Sequence, residues 1–484
     1  MTFAYFKSWT DKFLCLDNLV IRYIVSRRIA TCSSETEVAK QWTENMKFFD
    51  REREIEYLRQ ERKLAEKVAR MTVVTGRRRV GKTQLIQKAF EDEPYIYLLV
   101  TRRAETDQCA DFIEKIKDVL PISLYGRGIR FGTLFKVLME ESCRRSFTLV
   151  IDELQEFWKI DEGIFGEIQE HWDRYHSESK INFVTCGSVN TLMNKIFFNE
   201  GQALYGRSTS KVQVEPFSLP VLKDILTTYN SKWNADDLLA LWTFTGGVAR
   251  YVEELMDRGY VTREAMINGV LDEHSYFFDE GKSVLVQEFG KEYGVYFSIL
   301  SAIARGITSR NEIEQLVGTS VGGYLMRLET DYGLIRRHQP ILEKSTNKSS
   351  RYHITDNFFA FWFRFVFRNA DLIELKRFDV LQSILQRDYE TFSGLALEGY
   401  FKRKFIEEQR YTHIGAWWDR HGENEIDLVC DDELSGKLDF YEVKRERSRI
   451  NLEVLRKKAD VFLKKNPQLN ERKISYCELS MDDM

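Results

Sequence analysis

The chain has 484 residues, of which 43% are hydrophobic and 30% are charged, with 6 prolines and 27 glycines. This composition excludes a disordered or fibrous protein, and the length predicts about two to four domains. A net charge of -4 excludes a polycation, so a nucleic-acid surface has to be a local patch. No apolar run approaches the roughly 20 residues that cross a bilayer. The 7 cysteines are scattered without a C-x-x-C pair, which favours a reducing, cytoplasmic compartment over a disulfide framework or a zinc ribbon.

Residues 1–46 are predicted to be an N-terminal extension. Lys7, Asp11 and Asp17 interrupt its apolar positions, whereas a signal peptide has a continuous apolar stretch before a small-residue cleavage site. A secretory signal is one alternative, and a gene start placed too early, with Met46 as the true first residue, is another.

Residues 47–217 are predicted to form a parallel α/β domain. A charged helix begins near Phe48, and short β-rich runs then alternate with amphipathic helices. The runs are MTVVT (71–75), YIYLLVT (95–101), FTLVIDE (147–153), INFVTCGS (181–188) and KVQVEPF (211–217). Strands that alternate with helices are typical of a parallel sheet.

The rest of the chain predicts three further modules. Residues 218–290 are mostly amphipathic helix and are expected to form a helical lid. Residues 291–355 have the pattern of three helices followed by two β-like runs, which is typical of a winged helix. Residues 356–484 open with the aromatic run DNFFAFWFRFVF, which must be buried, and continue as helix–strand–strand–helix. This last segment predicts a small α/β domain.

The segment GRRRVGKT (76–83) fits the phosphate-loop pattern G-x-x-x-x-G-K-[ST]. It lies between a predicted strand and an amphipathic helix, which is the context that the loop requires. Glycines let backbone N–H groups surround phosphate oxygens, Lys82 reaches the terminal phosphates, and the Thr83 hydroxyl binds Mg²⁺. The predicted nucleotide-binding residues are Gly76, Arg77, Arg78, Arg79, Val80, Gly81, Lys82, Thr83 and Gln84.

Two carboxylates end the third predicted strand. Asp152 suits the magnesium shell, and Glu153 is placed to polarise the water that attacks a phosphoanhydride bond. A strand that ends in two acids is common on protein surfaces. The pair indicates a site of phosphoanhydride hydrolysis because a phosphate loop precedes it in the sequence.

Two more polar residues have open alternatives. Ser188 ends the next strand, where its hydroxyl could sense the γ-phosphate or cap the following helix. Arg207, in LYGRST, could stabilise transition-state charge in cis or in trans, or it could form a structural salt bridge.

On these residues, positions 47–480 resemble the archaeal-type P-loop ATPase family, a branch related to AAA-like and signalling (STAND-type) NTPases. The segments that carry the resemblance are FFDRE, GRRRVGKT, VIDELQEF, TCGSVN, YGRST, EPFSL, TGGVARYV, GLIRRHQP and RYHITDNFFAFWFRFV. The resemblance implies ATP as the nucleotide. Members commonly carry a winged helix and then a C-terminal domain that resembles restriction-endonuclease folds. The roles supported firmly are those of Lys82, Thr83, Asp152 and Glu153, and more loosely those of Ser188 and Arg207.

Four charged residues near the C-terminus fit the PD-(D/E)XK nuclease signature. Glu398 lies on a predicted helix, Asp427 on one strand, and Glu442-Val-Lys444 on the adjoining strand. Since side chains alternate along a strand, Glu442 and Lys444 share one face. Asp427 and Glu442 could hold Mg²⁺ with Glu398 completing the metal shell, while Lys444 orients or activates the hydrolytic water. Nuclease-like folds also persist as binding modules, so the signature alone does not establish catalysis.

Basic residues in the C-terminal domain and in the winged helix could bind the phosphates of DNA or RNA. In the C-terminal domain they occupy positions 444, 445, 447, 449, 456, 457, 458, 464 and 465, and a solvated helix face explains some of them equally well. In the winged helix they are Arg327, Arg336, Arg337, Lys344, Lys348 and Arg351. The alternative for the winged helix is an internal packing element.

The sequence thus predicts an α/β protein: a P-loop NTPase parallel sheet with a helical lid, a winged helix and a restriction-endonuclease-like C-terminal α/β domain. Its predicted function is that of a cytoplasmic, Mg²⁺-dependent ATPase whose nucleotide state switches a C-terminal domain that binds or cleaves nucleic acid. The alternative is a regulatory or signalling NTPase whose C-terminal domain is a non-catalytic interaction module. No membrane partner is expected, and a homo-oligomer is left open.

Overall fold

The computed structural model of the chain describes residues 48–122, 128–187, 190–290, 293–342, 350–420 and 422–484. The predicted N-terminal extension and Ser188 lie outside these residues. None of the helices within the described ranges is long and apolar enough to cross a membrane.

A five-stranded parallel sheet lies at the centre of the N-terminal half, as the alternation of strands and helices predicts. Its strand order is β2-β3-β4-β1-β5. The strands are β1 (Arg70–Thr75), β2 (Ile96–Leu99), β3 (Phe147–Asp152), β4 (Ile181–Cys186) and β5 (Ser210–Gln213). The helices of this half are α1 (Glu52–Ala65), α2 (Lys82–Ala89), α3 (Glu105–Lys117), α4 (Phe131–Ser142), α5 (Phe157–Ile160), α6 (Gly163–Tyr175) and α7 (Asn190–Phe198).

Two apolar cores cover the two faces of this sheet. Neighbouring residues on a strand point to opposite faces, so Val74 and Val184 pack with α1 and α2, whereas Val73 and Phe183 pack with α3, α4 and α6. Because both faces are covered at the middle of the sheet, β1, β3 and β4 are almost wholly buried and mostly apolar. The edge strands β2 and β5 instead alternate between more and less buried residues. The carboxyl ends of β1 and β3 therefore emerge at one edge between two helical layers, where the phosphate loop begins.

Eight helices and a hairpin follow the sheet. Residues 218–290, the predicted lid, contain five helices, which we call the lid helices. They are α8 (Leu219–Tyr229), α9 (Ala235–Thr245), α10 (Ala249–Asp257), α11 (Arg263–Val270) and α12 (Phe277–Phe289). Next come α13 (Tyr293–Ala304), α14 (Arg310–Val317), α15 (Gly322–Thr330), and the antiparallel strands β6 (Ile335–His338) and β7 (Arg351–Ile354). This order is the one that the winged-helix pattern predicts, and the assignment to that class stays a prediction.

The aromatic run after β7 is buried, as the sequence predicts. Phe358, Phe361 and Trp362 are at most 3% exposed. The Phe361 ring meets Phe244 of α9 edge to face at 5.1 Å, and the Trp362 indole donates to the Phe278 carbonyl at 3.0 Å. The run therefore joins the lid helices to the C-terminal part of the chain.

The C-terminal part contains a four-stranded mixed sheet of order β11-β10-β9-β8. The elements after β7 are α16 (Asn357–Phe361), α17 (Ala370–Glu374), α18 (Phe378–Glu407), β8 (His413–Trp418), β9 (Glu425–Asp432), β10 (Lys437–Val443), α19 (Leu452–Lys465) and β11 (Lys473–Leu479). The sequence predicted only two of these strands. It merged β8 with β9 across the tight turn after Trp418, and it missed β11, which pairs in parallel with β10.

Residues 49–484 form one compact unit. The helix α18 has 30 residues and is about 45 Å long, so it reaches from the lid helices to the C-terminal sheet. The predicted domain boundaries after residues 217, 290 and 355 stay predictions.

Candidate functional site

The phosphate-loop segment contains two glycines that no other residue could replace without strain. Gly76 has φ of 149°, and a Cβ atom there would collide with the carbonyl oxygen of Val214. Gly81 has φ of 94° and is the N-cap residue of α2. Positive φ is readily available to glycine and costly for other residues. The sequence thus places its two glycines where the backbone must curl at the N-terminus of a helix.

Lys82 lies at the centre of this loop. Its side chain is 7% exposed, and Nζ donates to the carbonyl oxygens of Gly76 at 2.9 Å and Arg77 at 3.0 Å. Burial lowers the pKa of the Lys82 ammonium, while the nearby Cys186, Glu153 and Asp152 oppose that shift. A buried cation held by two neutral carbonyls is well suited to exchange them for an anion.

Asp152 connects the loop to the end of β3. Its Oδ2 accepts a hydrogen bond from the Thr83 hydroxyl at 2.8 Å and another from the Tyr97 hydroxyl at 2.6 Å. Its Oδ1 accepts from the Glu153 amide at 2.9 Å. The structure therefore brings together Thr83 and Asp152, the two residues predicted to share Mg²⁺, although 69 positions separate them.

Tyr97 was not predicted as a site residue. It lies on β2, whose neighbour in the sheet is β3, so its hydroxyl reaches the carboxylate at the end of that strand. Burial raises the pKa of Tyr97, and Asp152 raises it further. In the sequence, Tyr97 is marked only as a tyrosine in an otherwise aliphatic strand. The local pattern of residues does not specify which strand lies beside β3, so it could not place Tyr97 near Asp152.

Glu153 follows Asp152 in an unusual backbone conformation. Its φ is 54°, in the left-handed region that is uncommon for residues other than glycine. Its carboxylate accepts a hydrogen bond from the side-chain amide of Gln155. Strained backbone conformations are concentrated at functional sites, so this one is consistent with a functional role for Glu153.

The two remaining sequence candidates of this domain differ in outcome. Arg207 forms a bidentate ion pair with Asp173 of α6, at 2.8 and 2.7 Å, which corresponds to the structural alternative. Its role in charge stabilisation stays a prediction. Ser188 lies outside the described residues.

Three arginines occupy the variable positions of the loop. Arg79 pairs with Glu280 of α12 at 2.9 and 3.2 Å, and Arg77 forms an ion pair with Asp356, which directly precedes α16. Arg78 lines a cavity beside the loop. Of the other predicted residues, Val80 is buried beneath the loop and Gln84 is exposed.

That cavity has a volume of about 350 Å³ and opens next to Gly76. Its walls include residues from distant parts of the chain, among them Pro216 after β5, Glu288 of α12, Arg336 of β6 and Arg403 of α18. Burial raises the pKa of the Glu288 carboxyl to about 7, with Arg78 opposing the shift. The sequence did not predict this cavity, because its walls are distant along the chain.

The four charged residues of the predicted nuclease signature also converge. Lys444 Nζ lies 3.1 Å from Asp427 Oδ2 and 3.0 Å from Glu442 Oε1. The Val443 amide donates to Asp427 at 2.8 Å. Burial raises the pKa of Asp427, and the Lys444 ammonium opposes this shift. Glu398 of α18 is the most strongly affected: burial raises its pKa well above the ordinary value, and the negative charge of Asp427 adds to the shift.

A second lysine completes this C-terminal cluster. Lys458 of α19 lies 3.3 Å from Glu442 Oε2, so each oxygen of Glu442 faces one ammonium group. Within the described ranges, no group of three or more His, Cys, Asp or Glu residues is arranged to hold a metal ion. The predicted metal set of Glu398, Asp427 and Glu442 therefore stays a prediction.

The basic residues predicted to meet nucleic acid are largely engaged in the fold. Arg445 pairs with Asp236 of α9, Arg447 with Glu478 and Asp483, and Arg449 with Glu446. In the predicted wing, Arg351 pairs with Glu425 and Arg337 donates to Ser350. Lys344 and Lys348 lie outside the described residues.

Comparison with known proteins agrees with this site. Residues 48–255 match an ATPase domain found predominantly in Archaea. Residues 362–457 match a family of "Archaea bacterial proteins of unknown function". The chain is 29% identical over 407 residues to an uncharacterized protein of Methanocaldococcus jannaschii, covering 82% of this chain and 87% of that protein. Among solved structures, a Walker-type ATPase of Pyrococcus abyssi is similar in fold, with a TM-score of 0.50, 18% identity, and coverage of 65% of this chain and 96% of that one.

The parallel sheet, the loop after β1 and the acid at the end of β3 define a P-loop ATPase. The chain carries an ATPase domain of the archaeal type over residues 48–255, followed by the family of unknown function over residues 362–457. This confirms the resemblance to an archaeal-type P-loop ATPase inferred from the sequence, while the winged helix and the nuclease-like domain stay predictions.

Proposed function

We propose that the chain hydrolyses ATP with Mg²⁺ and that its nucleotide state regulates the C-terminal α/β domain. The observation that carries the first part is the convergence of Lys82, Thr83 and Asp152. The Thr83 hydroxyl and the Asp152 carboxylate are oxygen ligands of the kind that Mg²⁺ prefers, and they lie 2.8 Å apart beside a buried ammonium.

Each residue of the loop has a distinct role in this proposal. Lys82 exchanges the carbonyls of Gly76 and Arg77 for the β- and γ-phosphate oxygens. Thr83 and Asp152 hold the metal, which offsets phosphate charge, and Glu153 polarises the attacking water. The cavity beside Gly76 gives the nucleoside part of ATP room to bind.

The second part of the proposal concerns the C-terminal cluster, which binds or cleaves DNA or RNA. It is supported by the approach of Lys444 to both Asp427 and Glu442 within 3.1 Å. In a hydrolytic reaction, the two acids and Glu398 would bind Mg²⁺ and Lys444 would orient the water.

A regulatory NTPase with a non-catalytic C-terminal domain is the second candidate. It is favoured by the state of Glu442, whose two oxygens are already neutralised by Lys444 and Lys458. A carboxylate pair balanced by two lysines needs no metal for its stability. Contact of the winged helix with nucleic acid, a cytoplasmic location and a homo-oligomeric assembly remain parts of the proposal.

Two measurements on the full chain test the proposed function. Calorimetry with ATP and Mg²⁺ should show that Lys82→Ala weakens binding by about 1.5 to 3 kcal/mol, the scale of a charge-assisted hydrogen bond. Equal affinity in wild type and variant would contradict the site.

Incubation with DNA and with RNA, with and without ATP and Mg²⁺ or Mn²⁺, then separates the two candidates. Metal-dependent cleavage that Lys444→Ala abolishes supports the nuclease, and cleavage that also requires Lys82 supports switching by nucleotide. Absence of cleavage under every condition favours the interaction module.

A further inference from the structure

The nucleotide site is not confined to the ATPase domain, because Arg77 of the phosphate loop contacts the C-terminal part of the chain. Its guanidinium forms an ion pair with the Oδ2 atom of Asp356. The Oδ1 atom of the same carboxylate accepts a hydrogen bond from the Phe359 amide at 3.1 Å and so caps α16. One side chain therefore holds the loop with one oxygen and the aromatic helix with the other.

This ion pair is shielded from water. The Arg77 and Asp356 side chains are 24% and 8% exposed. The guanidinium lies 5.4 Å from the centre of the Phe359 ring and 5.9 Å from that of Tyr251. Burial lowers the pKa of Arg77, but a guanidinium stays protonated at physiological pH. A charge enclosed in this way requires a partner, which Asp356 supplies.

Arg77 also takes part in holding Lys82. Its carbonyl oxygen accepts from Lys82 Nζ at 3.0 Å, while its side chain binds Asp356. If Lys82 turned toward a phosphate, it would release the Arg77 carbonyl. Nucleotide binding would therefore change the surroundings of Arg77, the residue that pairs with Asp356.

We propose that Asp356 is a positioning residue of the nucleotide site and that the Arg77–Asp356 pair couples nucleotide binding to the C-terminal segment 357–407. The coupling rests on the proposed binding of ATP. The pair would connect the phosphate loop physically to the C-terminal domain, since the chain continues from α16 through the buried aromatic run to α18. That helix carries Arg403, which lines the cavity beside the loop, and Glu398 of the C-terminal cluster.

The phosphate loop provides a matched comparison two residues further on. Arg79 forms the same kind of ion pair, but its partner Glu280 belongs to the lid helix α12. Glu280→Gln therefore breaks a pair of the loop with the lid, whereas Asp356→Asn breaks the pair with the C-terminal segment. Asparagine is as good an N-cap residue as aspartate, so Asp356→Asn keeps the cap of α16 and removes only the charge.

Hydrogen–deuterium exchange on the full chain tests the coupling, with and without a saturating non-hydrolysable ATP analogue and Mg²⁺. In wild type we expect the nucleotide to change amide exchange across 357–367 and in the part of α18 near Arg403. In Asp356→Asn this change should fall by at least half while the nucleotide still binds. Glu280→Gln should retain it, and Asp356→Glu should restore it.

Two results would overturn the coupling alone: bound nucleotide without any change across 357–367 in wild type, or an undiminished change in Asp356→Asn. Failure of wild type to bind the analogue would instead overturn the proposed function, and the coupling with it. If the unpaired Arg77 prevents Asp356→Asn from folding, the double variant Arg77→Gln/Asp356→Asn removes both charges. The same loss of response is expected there, and a wild-type response would contradict the proposal.

Discussion

At the scale of single residues, Tyr97 controls how the Asp152 carboxylate is oriented. Both the Thr83 and Tyr97 hydroxyls donate to Oδ2. If Thr83 turned its oxygen to a metal, it would give up its bond to Asp152, and the Tyr97 hydroxyl would remain to hold the carboxylate in place. A residue that sequence patterns did not identify would thus support the proposed metal ligands.

We therefore expect Tyr97→Phe to raise the Mg²⁺ concentration needed for half-maximal ATPase activity by about tenfold, the equivalent of one hydrogen bond to a charged group. Nucleotide binding measured in EDTA should be unchanged. Tyr95→Phe is the matched control, because the Tyr95 ring packs against Phe90. An equal effect of both substitutions would show that loss of a tyrosine hydroxyl in this part of the chain, rather than loss of the Tyr97 bond to Asp152, changes the Mg²⁺ dependence.

The strained Glu153 gives a second prediction at this scale. Glu153→Gln keeps the side-chain shape and removes the base, so ATP should stay bound while its hydrolysis slows by about 10² to 10⁴-fold. Phosphate release and calorimetry measure the two quantities separately. Glu156→Gln is the control, since Glu156 pairs with Arg102 and Lys159. Wild-type hydrolysis by Glu153→Gln would place the water-polarising residue elsewhere.

At the scale of elements, α9 and the end of β10 are joined by Arg445. Its guanidinium donates to Ser393 Oγ at 2.7 Å and to Asp236 Oδ1 at 2.8 Å, and it lies 5.3 Å from the Tyr389 ring. The Arg445 side chain is 12% exposed. This contact fixes the residue next to Lys444 against a lid helix.

Loss of this contact should destabilise the chain measurably. Arg445→Gln leaves Asp236 with its second partner Arg263, so we expect a loss of about 1.5 to 3 kcal/mol in the free energy of unfolding. Arg447→Gln, whose partners are the more exposed Glu478 and Asp483, should cost clearly less, because solvent screens exposed ion pairs. Urea unfolding compares the two variants, and equal losses would contradict the special role of Arg445.

The elements also show what the sequence could and could not predict. Strands β1, β3 and β4 are short buried apolar runs, and the loop motif follows β1 directly, so local patterns identified Lys82, Thr83 and Asp152. The order of strands is a long-range property, and it places Tyr97 beside Asp152. The partnership of Arg77 with Asp356 spans most of the chain, and no local spacing marks it.

At the scale of the whole molecule, the C-terminal cluster is balanced by charges from three elements. Asp427 of β9 and Glu442 of β10 face Lys444, and Lys458 of α19 faces Glu442. The Lys444 ammonium lies within 3.1 Å of both carboxylates. A divalent ion bound by both acids would compete with Lys444 for them, whereas a purely structural cluster would keep Lys444 in place.

The nuclease proposal makes a prediction about stability that needs no substrate. If Asp427 and Glu442 bind a divalent ion, millimolar Mn²⁺ should stabilise the full chain by mass action and so raise its thermal midpoint. At a hundredfold excess of Mn²⁺ over the dissociation constant, the free energy of unfolding should rise by about 2.7 kcal/mol. Thr83 and Asp152 of the proposed nucleotide site would also bind a divalent ion, so the measurement uses Asp152→Asn in the absence of nucleotide. Adding Asp427→Asn and Glu442→Gln to that background should abolish the shift. Adding Asp432→Asn, a half-buried acid at the end of β9 that accepts a hydrogen bond from the Ser435 hydroxyl, should leave it intact. A background protein that Mn²⁺ does not stabilise would identify the cluster as a set of structural ion pairs, and the proposed role of Lys444 in orienting water would fail with it.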